Sequence, residues 1–280
     1  MTDASSSASS VTHPIDPAKF DKKYLRFDPC VMSTFGENKT PYGRAKFHYA
    51  NPDLGGALQP VVIKGPPMHS FGVSDNMNDR QEVTGHSVCL TLPKDDNHPF
   101  NRSVLSLYEA CCEYLAANAE QCGLNPDNVN SAAAAKILMK CPAEYGKNKE
   151  KKVDKSKGRR LYAKILEYAA TENRPAKMAT IFDDGTSLDL STRKMTRQLN
   201  PLDVRSSCEL IPSILFDSIY FGSKPSIQVK LPRAVVTREL VSNAVAPLDE
   251  ETASYMISLG LGSAEAASAS SAVSDPAALL

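Results

Sequence analysis

Eleven lysines and arginines crowd the stretch from Lys136 to Lys164, against three carboxylates. The densest part holds Lys147, Lys149, Lys151, Lys152, Lys155, Lys157, Arg159 and Arg160, with Lys164 just beyond. Like charges at this density repel one another. Binding a polyanion relieves that repulsion and releases counterions. The chemistry indicated is phosphate contact that weakens with salt and ignores base sequence. A solvated loop or a nuclear-import tag would carry the same charges. Aromatic rings separate the readings, because unpaired bases stack on rings borne by strands beside a cationic groove. Tyr145 and Tyr162 bracket the run, while Phe182, Tyr220 and Phe221 fall in later strand-like segments. The candidate nucleic-acid-binding set is therefore these nine cations with Tyr162, Phe182, Tyr220 and Phe221, joined by Phe71 and Arg44 from earlier in the chain.

Catalytic chemistry finds less support. No GxSxG, HExxH or GxxxxGK[ST] pattern occurs. Asp183-Asp184 could be an acid pair, but Gly185 follows and marks a hairpin turn instead. Seven cysteines, at 30, 89, 111, 112, 122, 141 and 208, form no CxxC, and His86 with Cys89 lacks a second ligand pair. The expectation is a protein that is not an enzyme, with no metal and no cofactor. Reduced thiols fit an intracellular compartment. Net charge is zero, so any nucleic-acid affinity must be local. No apolar run approaches the length of a membrane span, and no secretory signal opens the chain.

The elements that must position these residues follow from period. Arg44–Tyr49 alternates, with Ala45, Phe47 and Tyr49 on one face. Pro60–Lys64 and Ser87–Leu92 also read as strands. Asn101–Cys122 shifts to helical spacing, with Asn101 as its cap and Cys111, Cys112 and Cys122 packing as small apolar groups. Asn125-Pro126 opens a second helix reaching Met139. Strands return at Leu161–Tyr168. A hairpin of Lys177–Phe182 with Ser187–Leu190 follows, then a pair of Cys208–Phe221 with Ser226–Val236. Pro212 and Pro232 must lie at edges or bulges of that pair. The order of strands, helices, then strands predicts an α+β, mainly β fold: an OB-like small barrel with inserted helices and disordered termini. Residues 1–18 read as a leader and 19–240 as one OB-like domain. That domain has a helical insertion at about 101–140 and the basic segment at 147–164. Residues 241–280 read as a helix over 248–261 and a flexible tail.

Several segments then point to a family. They are Gly65-Pro66-Pro67-Met68 with Phe71-Gly72-Val73-Ser74, and the helix from Leu107-Tyr108-Glu109 to Asn118-Ala119. Next come Lys157-Gly158-Arg159-Arg160-Leu161-Tyr162, Thr180-Ile181-Phe182-Asp183 and Leu188-Asp189-Leu190. Ile214-Leu215-Phe216-Asp217-Ser218-Ile219-Tyr220-Phe221-Gly222 ends the series. In this order, over roughly residues 20–236, the chain resembles the single-stranded DNA-binding protein family of nucleo-cytoplasmic large DNA viruses. That family is similar to the OB-fold single-stranded DNA-binding proteins of short-tailed phages. The resemblance implies a non-enzymatic protein that coats and protects unwound DNA. It would act in viral genome replication, recombination or repair, in the host nucleus or a cytoplasmic viral compartment. The phage proteins carry an acidic tail that recruits partners. Here residues 262–280 hold only Glu265 and Asp275. Recruitment of replication proteins therefore falls to the helix expected at 248–261, and self-association is also expected. The residues leave open a structural or assembly protein of a virion or replication compartment, and an RNA-binding regulator.

Overall fold

Alternation of inward and outward side chains sets most of the architecture. The computed structural model describes residues 13–35, 40–148, 150, 152–168, 177–185, 188–189, 194–195, 197–221 and 224–239. Twelve strands form one sheet. In chain order they are β1 (Leu25–Phe27), β2 (Val31–Phe35), β3 (Thr40–Asn51), β4 (Ala57–Lys64), β5 (Met68–Met77) and β6 (Val83–Thr91). Then come β7 (Ala143–Tyr145), β8 (Arg159–Ile165), β9 (Ile181–Asp184), β10 (Gln198–Leu199), β11 (Cys208–Phe221) and β12 (Ser226–Glu239). Two short ladders stand apart: Glu167–Tyr168 with Lys177–Met178, and Leu188–Asp189 with Lys194–Met195.

Five strands close on themselves. β5 lies antiparallel to β6, β6 antiparallel to β8, and β8 parallel to β12. β12 then lies antiparallel to β11, which returns antiparallel to β5. Counted within the ring, the spatial order is 1-2-3-5-4-1 with one parallel contact, and the fold is the expected α+β, mainly β, OB-like barrel. Closure leaves the ring itself without a free edge.

β11 is longer than the barrel needs. Its residues 208–210 pair with β5, 213–216 with β4 and 218–221 with β3. The strand thus joins the barrel to an extension made of β1 to β4. Pro212 sits where the neighbour changes from β5 to β4, a place where its missing N–H breaks no ladder bond. β12 repeats the device. Lys230 and Leu231 face β8, residues 233–236 face β9, and Pro232 falls at the change. Asp217 fastens the junction, accepting from Lys230 of β12 at 3.0 Å and from the Arg44 guanidinium of β3.

Helix α1 (Pro99–Ala117) and helix α2 (Ala132–Leu138) lie between β6 and β8. Phe100, Val104, Leu107, Cys111, Cys112 and Leu115 form the buried stripe of α1 and enter the common core. Cys122 is buried with them, and burial pushes all three thiols up. The α1 cap is His98, not Asn101, whose side-chain amide instead donates to the carbonyls of Pro93 and Asp95. The second helix is also shorter than expected. Asn125 caps a single 3-10 turn at Pro126–Asn128, and Ser131 starts a fresh helix by accepting from the Ala134 N–H at 3.3 Å.

Two further expectations change. The leader does not run to residue 18: Ile15 is buried, bridges Ile63 in parallel, and exchanges backbone hydrogen bonds with Val62 and Lys64. Among the described residues, the hairpin anticipated at Asp183-Asp184-Gly185 between 177–182 and 187–190 is not found: 177–178 pair with 167–168 and 188–189 with 194–195. β9 pairs instead with β10 and, in parallel, with β12, and the Gly185 N–H donates to Val236. Residue parity could not show this, because the partner lies fifty residues away. Asp183 is an ion-pair acceptor for Arg233 at 2.5 Å. The helix expected at 248–261, and all of 241–280, lie outside the described residues.

Phe182 is 0% exposed on β9. Phe182→Ala should therefore lower unfolding stability by about 3–5 kcal/mol in urea titration, whereas Tyr162→Ala, on an outward face, should cost less than about 1 kcal/mol. Asp217 gives a pH-dependent expectation. Burial raises its pKa, but Lys230 and Arg44 outweigh that and hold the carboxyl below its usual 3.8. Such a group stabilises the fold above its unfolded pKa and loses the effect as pH falls through the depressed value. Asp217→Asn should be less stable than the parent at neutral pH, with the gap narrowing below pH 3.8. A gap independent of pH would contradict this.

Candidate nucleic-acid interface

β8 alternates over its whole length. Leu161, Ala163 and Ile165 point into the barrel, which sends Arg160, Tyr162 and Lys164 outward. Opposite them on β6 lie Thr91, Cys89 and Ser87. These are short side chains that leave the longer ones uncovered, and Tyr162 is 56% exposed. Burial against the sheet raises the Tyr162 pKa, and the Cys89 thiol beside it raises it further.

Phe71 reaches the same face through a bulge. The β5–β6 register slips between Ser70 and Val73. Gly72 there has φ +83°, and a Cβ would meet the Arg205–Ser206 backbone at 2.6–2.8 Å. Only glycine allows that approach, and the irregularity leaves Phe71 49% exposed. The His69 ring meets Phe71 edge-on at 4.7 Å. The Arg160 guanidinium lies over the Phe71 ring at 5.2 Å. Arg160 Nε is buried and has no hydrogen-bond partner among the described residues. Phe71, Arg160, Tyr162 and Lys164 thus lie together on the outer side of the second and third barrel strands and their neighbour β5.

A groove of about 780 Å³ opens at the Lys164 end, with Tyr162, Lys164, Thr84, His86, Glu167 and Gln228 among its lining. The carboxylate in its lining, Glu167, is engaged, and so is Asp75 behind His86. His86 Nδ1 meets Glu167 at 2.6 Å and Nε2 meets Asp75 at 3.3 Å, while Arg205 also holds Asp75 at 2.5 Å.

At the other end the described residues of the basic segment pair as the base of a hairpin. Lys147 bridges Val153, the Asn148 N–H donates to Lys152, and Asp154 caps the turn Lys155–Lys157. A Cβ on Gly146 would stand 2.8 Å from Lys157 and 3.4 Å from Arg160 Nε, so the hairpin base abuts the Arg160 end of the exposed face.

The structure sorts the expected site residues into groups. Arg160, Tyr162, Lys164 and Phe71 come together. Lys147, Lys152, Lys155 and Lys157 are exposed on the hairpin, although Glu150 takes Lys152 at 2.9 Å and the Lys147 carbonyl takes Lys157 at 2.8 Å. Lys149 and Lys151 lie outside the described residues. Arg159 does not join this face. It points to the opposite side of β8, paired with Asp96 at 3.0 Å and lying over Tyr145 at 4.1 Å. Phe182 and Phe221 are corrected outright: at 0% and 3% exposure neither ring can receive a base. In the pairs Ile181-Phe182 and Tyr220-Phe221 only one member can face outward, and the phenylalanine is the inward one. Tyr220 and Arg44 are outward but away from this face, on β11 and β3. Tyr42, missed in the sequence, stacks on Tyr220 at 5.7 Å. Carrying the β3 alternation two residues back from Arg44 would have found it.

Among the described residues no group of three or more His, Cys, Asp or Glu could hold a metal ion, and no helix is long and apolar enough to cross a membrane. A family model described as a protein of unknown function (DUF2738) matches residues 46–271. The chain belongs to that family. The matched region starts within β3 and takes in β4 to β12, so the closed barrel, the exposed β8 face and the hairpin all fall inside the family's extent. No curated protein and no solved structure matches the chain.

If the hairpin lysines meet phosphates, changing Lys147, Lys152, Lys155 and Lys157 together to alanine should flatten the slope of log affinity against log salt. The expected change is about 0.7 per lost single-strand contact, read by fluorescence anisotropy. An unchanged slope would make the hairpin a solvated feature only.

Proposed function

We propose that this protein binds single-stranded DNA, without catalysing a reaction, and coats and protects unwound strands during viral genome replication, recombination or repair. One observation carries the reading. An OB-like barrel leaves two aromatic rings uncovered beside Arg160 and Lys164 on the outer face of its first three strands, Phe71 from the first and Tyr162 from the third. It includes the face of strands two and three that OB-folds use for oligonucleotides. Rings left in water on a strand forgo burial, and stacking with a base restores it at about 1–3 kcal/mol per base. The cations beside them supply phosphate contacts that favour any sequence. The resemblance to viral single-stranded DNA-binding proteins supports the same reading and supplies the biological setting, which is intracellular.

The geometry favours single strand over duplex. Stacking needs bases that are already unpaired, and a duplex offers none without the cost of opening. An anisotropy series with oligo-dT, duplex DNA and matched RNA at two salt concentrations tests this. Oligo-dT should bind more tightly than duplex, and Phe71→Ala with Tyr162→Ala should weaken it by about 1–3 kcal/mol for each stacked base lost. Equal affinity for duplex and single strand would sink the proposal. Tighter binding of RNA than DNA would turn it toward an RNA-binding regulator.

A further inference from the structure

We propose that the outward patch of Tyr42, Arg44, Lys46 and Tyr220 is a second platform for the same DNA strand, continuing the path from Tyr162 off the barrel and onto the β3 extension. This rests on the single-strand reading above and adds a second contact region to it.

The patch has the parts of a stacking site. Tyr42 and Tyr220 come from different strands and stack nearly parallel, 24° apart, with Tyr220 36% exposed. A ring pair held from two strands is a flat surface fixed before any base arrives. On β3 the outward positions run Tyr42, Arg44, Lys46, one aromatic followed by two cations. A cleft of about 430 Å³ opens at these three residues. The Arg44 side chain is 40% exposed. Nε donates to Ser218 at 2.9 Å and Nη2 to Asp217, which holds the guanidinium in place and leaves the rest of its donor fork for a phosphate. Asp28 also borders the cleft and is within 3.2 Å of His48.

Continuity comes from the register. Lys164 reaches Gln228 at 3.3 Å, Gln228 lies opposite Ser218, and Ser218 lies opposite Lys46. Lys164 also lies opposite Lys230, whose ammonium shares Asp217 with Arg44. Along this line stand four cations, Lys164, Lys230, Arg44 and Lys46, and three carboxylates, of which Asp217 is held by Lys230 and Arg44, Glu167 by His86, and Asp28 lies by His48. From β8 across β12 to β11 is two strand steps, about 10 Å in all. About three nucleotides at a rise of about 3.4 Å each cover that distance. A strand stacked on Tyr162 therefore reaches Tyr220 without leaving the cationic surface.

The test uses the full chain and two dT oligomers, one of about 2 nucleotides, too short to span the two strand steps from Tyr162 to Tyr220, and one of about 16 nucleotides, the upper limit of a single OB footprint. The variant Tyr220→Ala with Lys46→Ala is compared with the parent by anisotropy. Tyr220→Phe keeps the ring and reports on folding. The double variant should bind the long oligomer roughly tenfold more weakly and the short one as the parent does, while Tyr220→Phe matches the parent on both. Ultraviolet crosslinking should mark the Tyr162 peptide with both lengths and the Tyr42 or Tyr220 peptides with the long oligomer only. Parent-like binding of the long oligomer by the double variant would overturn the second platform and leave the groove reading intact. Equal loss on both lengths would also overturn it, because the patch would not be a separate contact. Failure of the parent itself to bind either oligomer would remove the single-strand reading and this inference with it.

Discussion

The ladder between β11 and β12 is the constraint on which the rest of the molecule depends. The two fourteen-residue strands pair from Cys208–Glu239 to Tyr220–Ser226, and each serves more than one neighbour on its other edge. β11 returns to β5 and closes the ring; β12 takes β8 in parallel and completes it. Beyond the ring the same two strands carry β3 and β4 on one side and β9 on the other. A change of neighbour interrupts the ladder on that edge, and proline, which has no N–H to lose, stands at two of the three changes, with Asp217 at the change from β4 to β3.

From that frame the candidate interface follows with few additional requirements. Closure fixes the barrel interior, so parity along β8 settles which residues face water. Leu161, Ala163 and Ile165 fill the core, and Arg160, Tyr162 and Lys164 are left outside. The short side chains of β6 keep that surface open, and the bulge at Gly72 adds Phe71 to it. The basic hairpin then grows from the β7–β8 pairing, which sets its base against Arg160. Its charge is local, as the zero net charge of the chain required.

Asp217 shows how the same framework handles a partly buried charge. Lys230 and Arg44 reach it from two other strands, and their hydrogen bonds and charges exceed the desolvation that burial imposes. Removing the carboxylate would leave two cations facing each other across the junction of barrel and extension. The arrangement orders the side chains that border the exposed aromatic pair, so a structural ion pair and the proposed binding surface share the same residues.

The sequence by itself determined the mainly β class, the strands β3, β4, β6, β11 and β12 in outline, the buried stripe of α1, and the cationic segment with Tyr162 near its end. Each of these rests on local periodicity or local charge, which a window of ten or twenty residues contains. Helix ends were less legible, because His98 and Ser131 cap as well as the asparagines that looked suited to it. Only the tertiary structure decided that Phe182 and Phe221 are core, that Arg159 turns to Asp96, and that Gly185 docks on β12 instead of turning a hairpin. It alone brought Tyr42 to Tyr220 and Phe71 to Arg160. The physical reason is the same in each case. Parity along a strand says that two faces exist, but which face is buried depends on the neighbour across the ladder, and here that neighbour lies tens to hundreds of residues away.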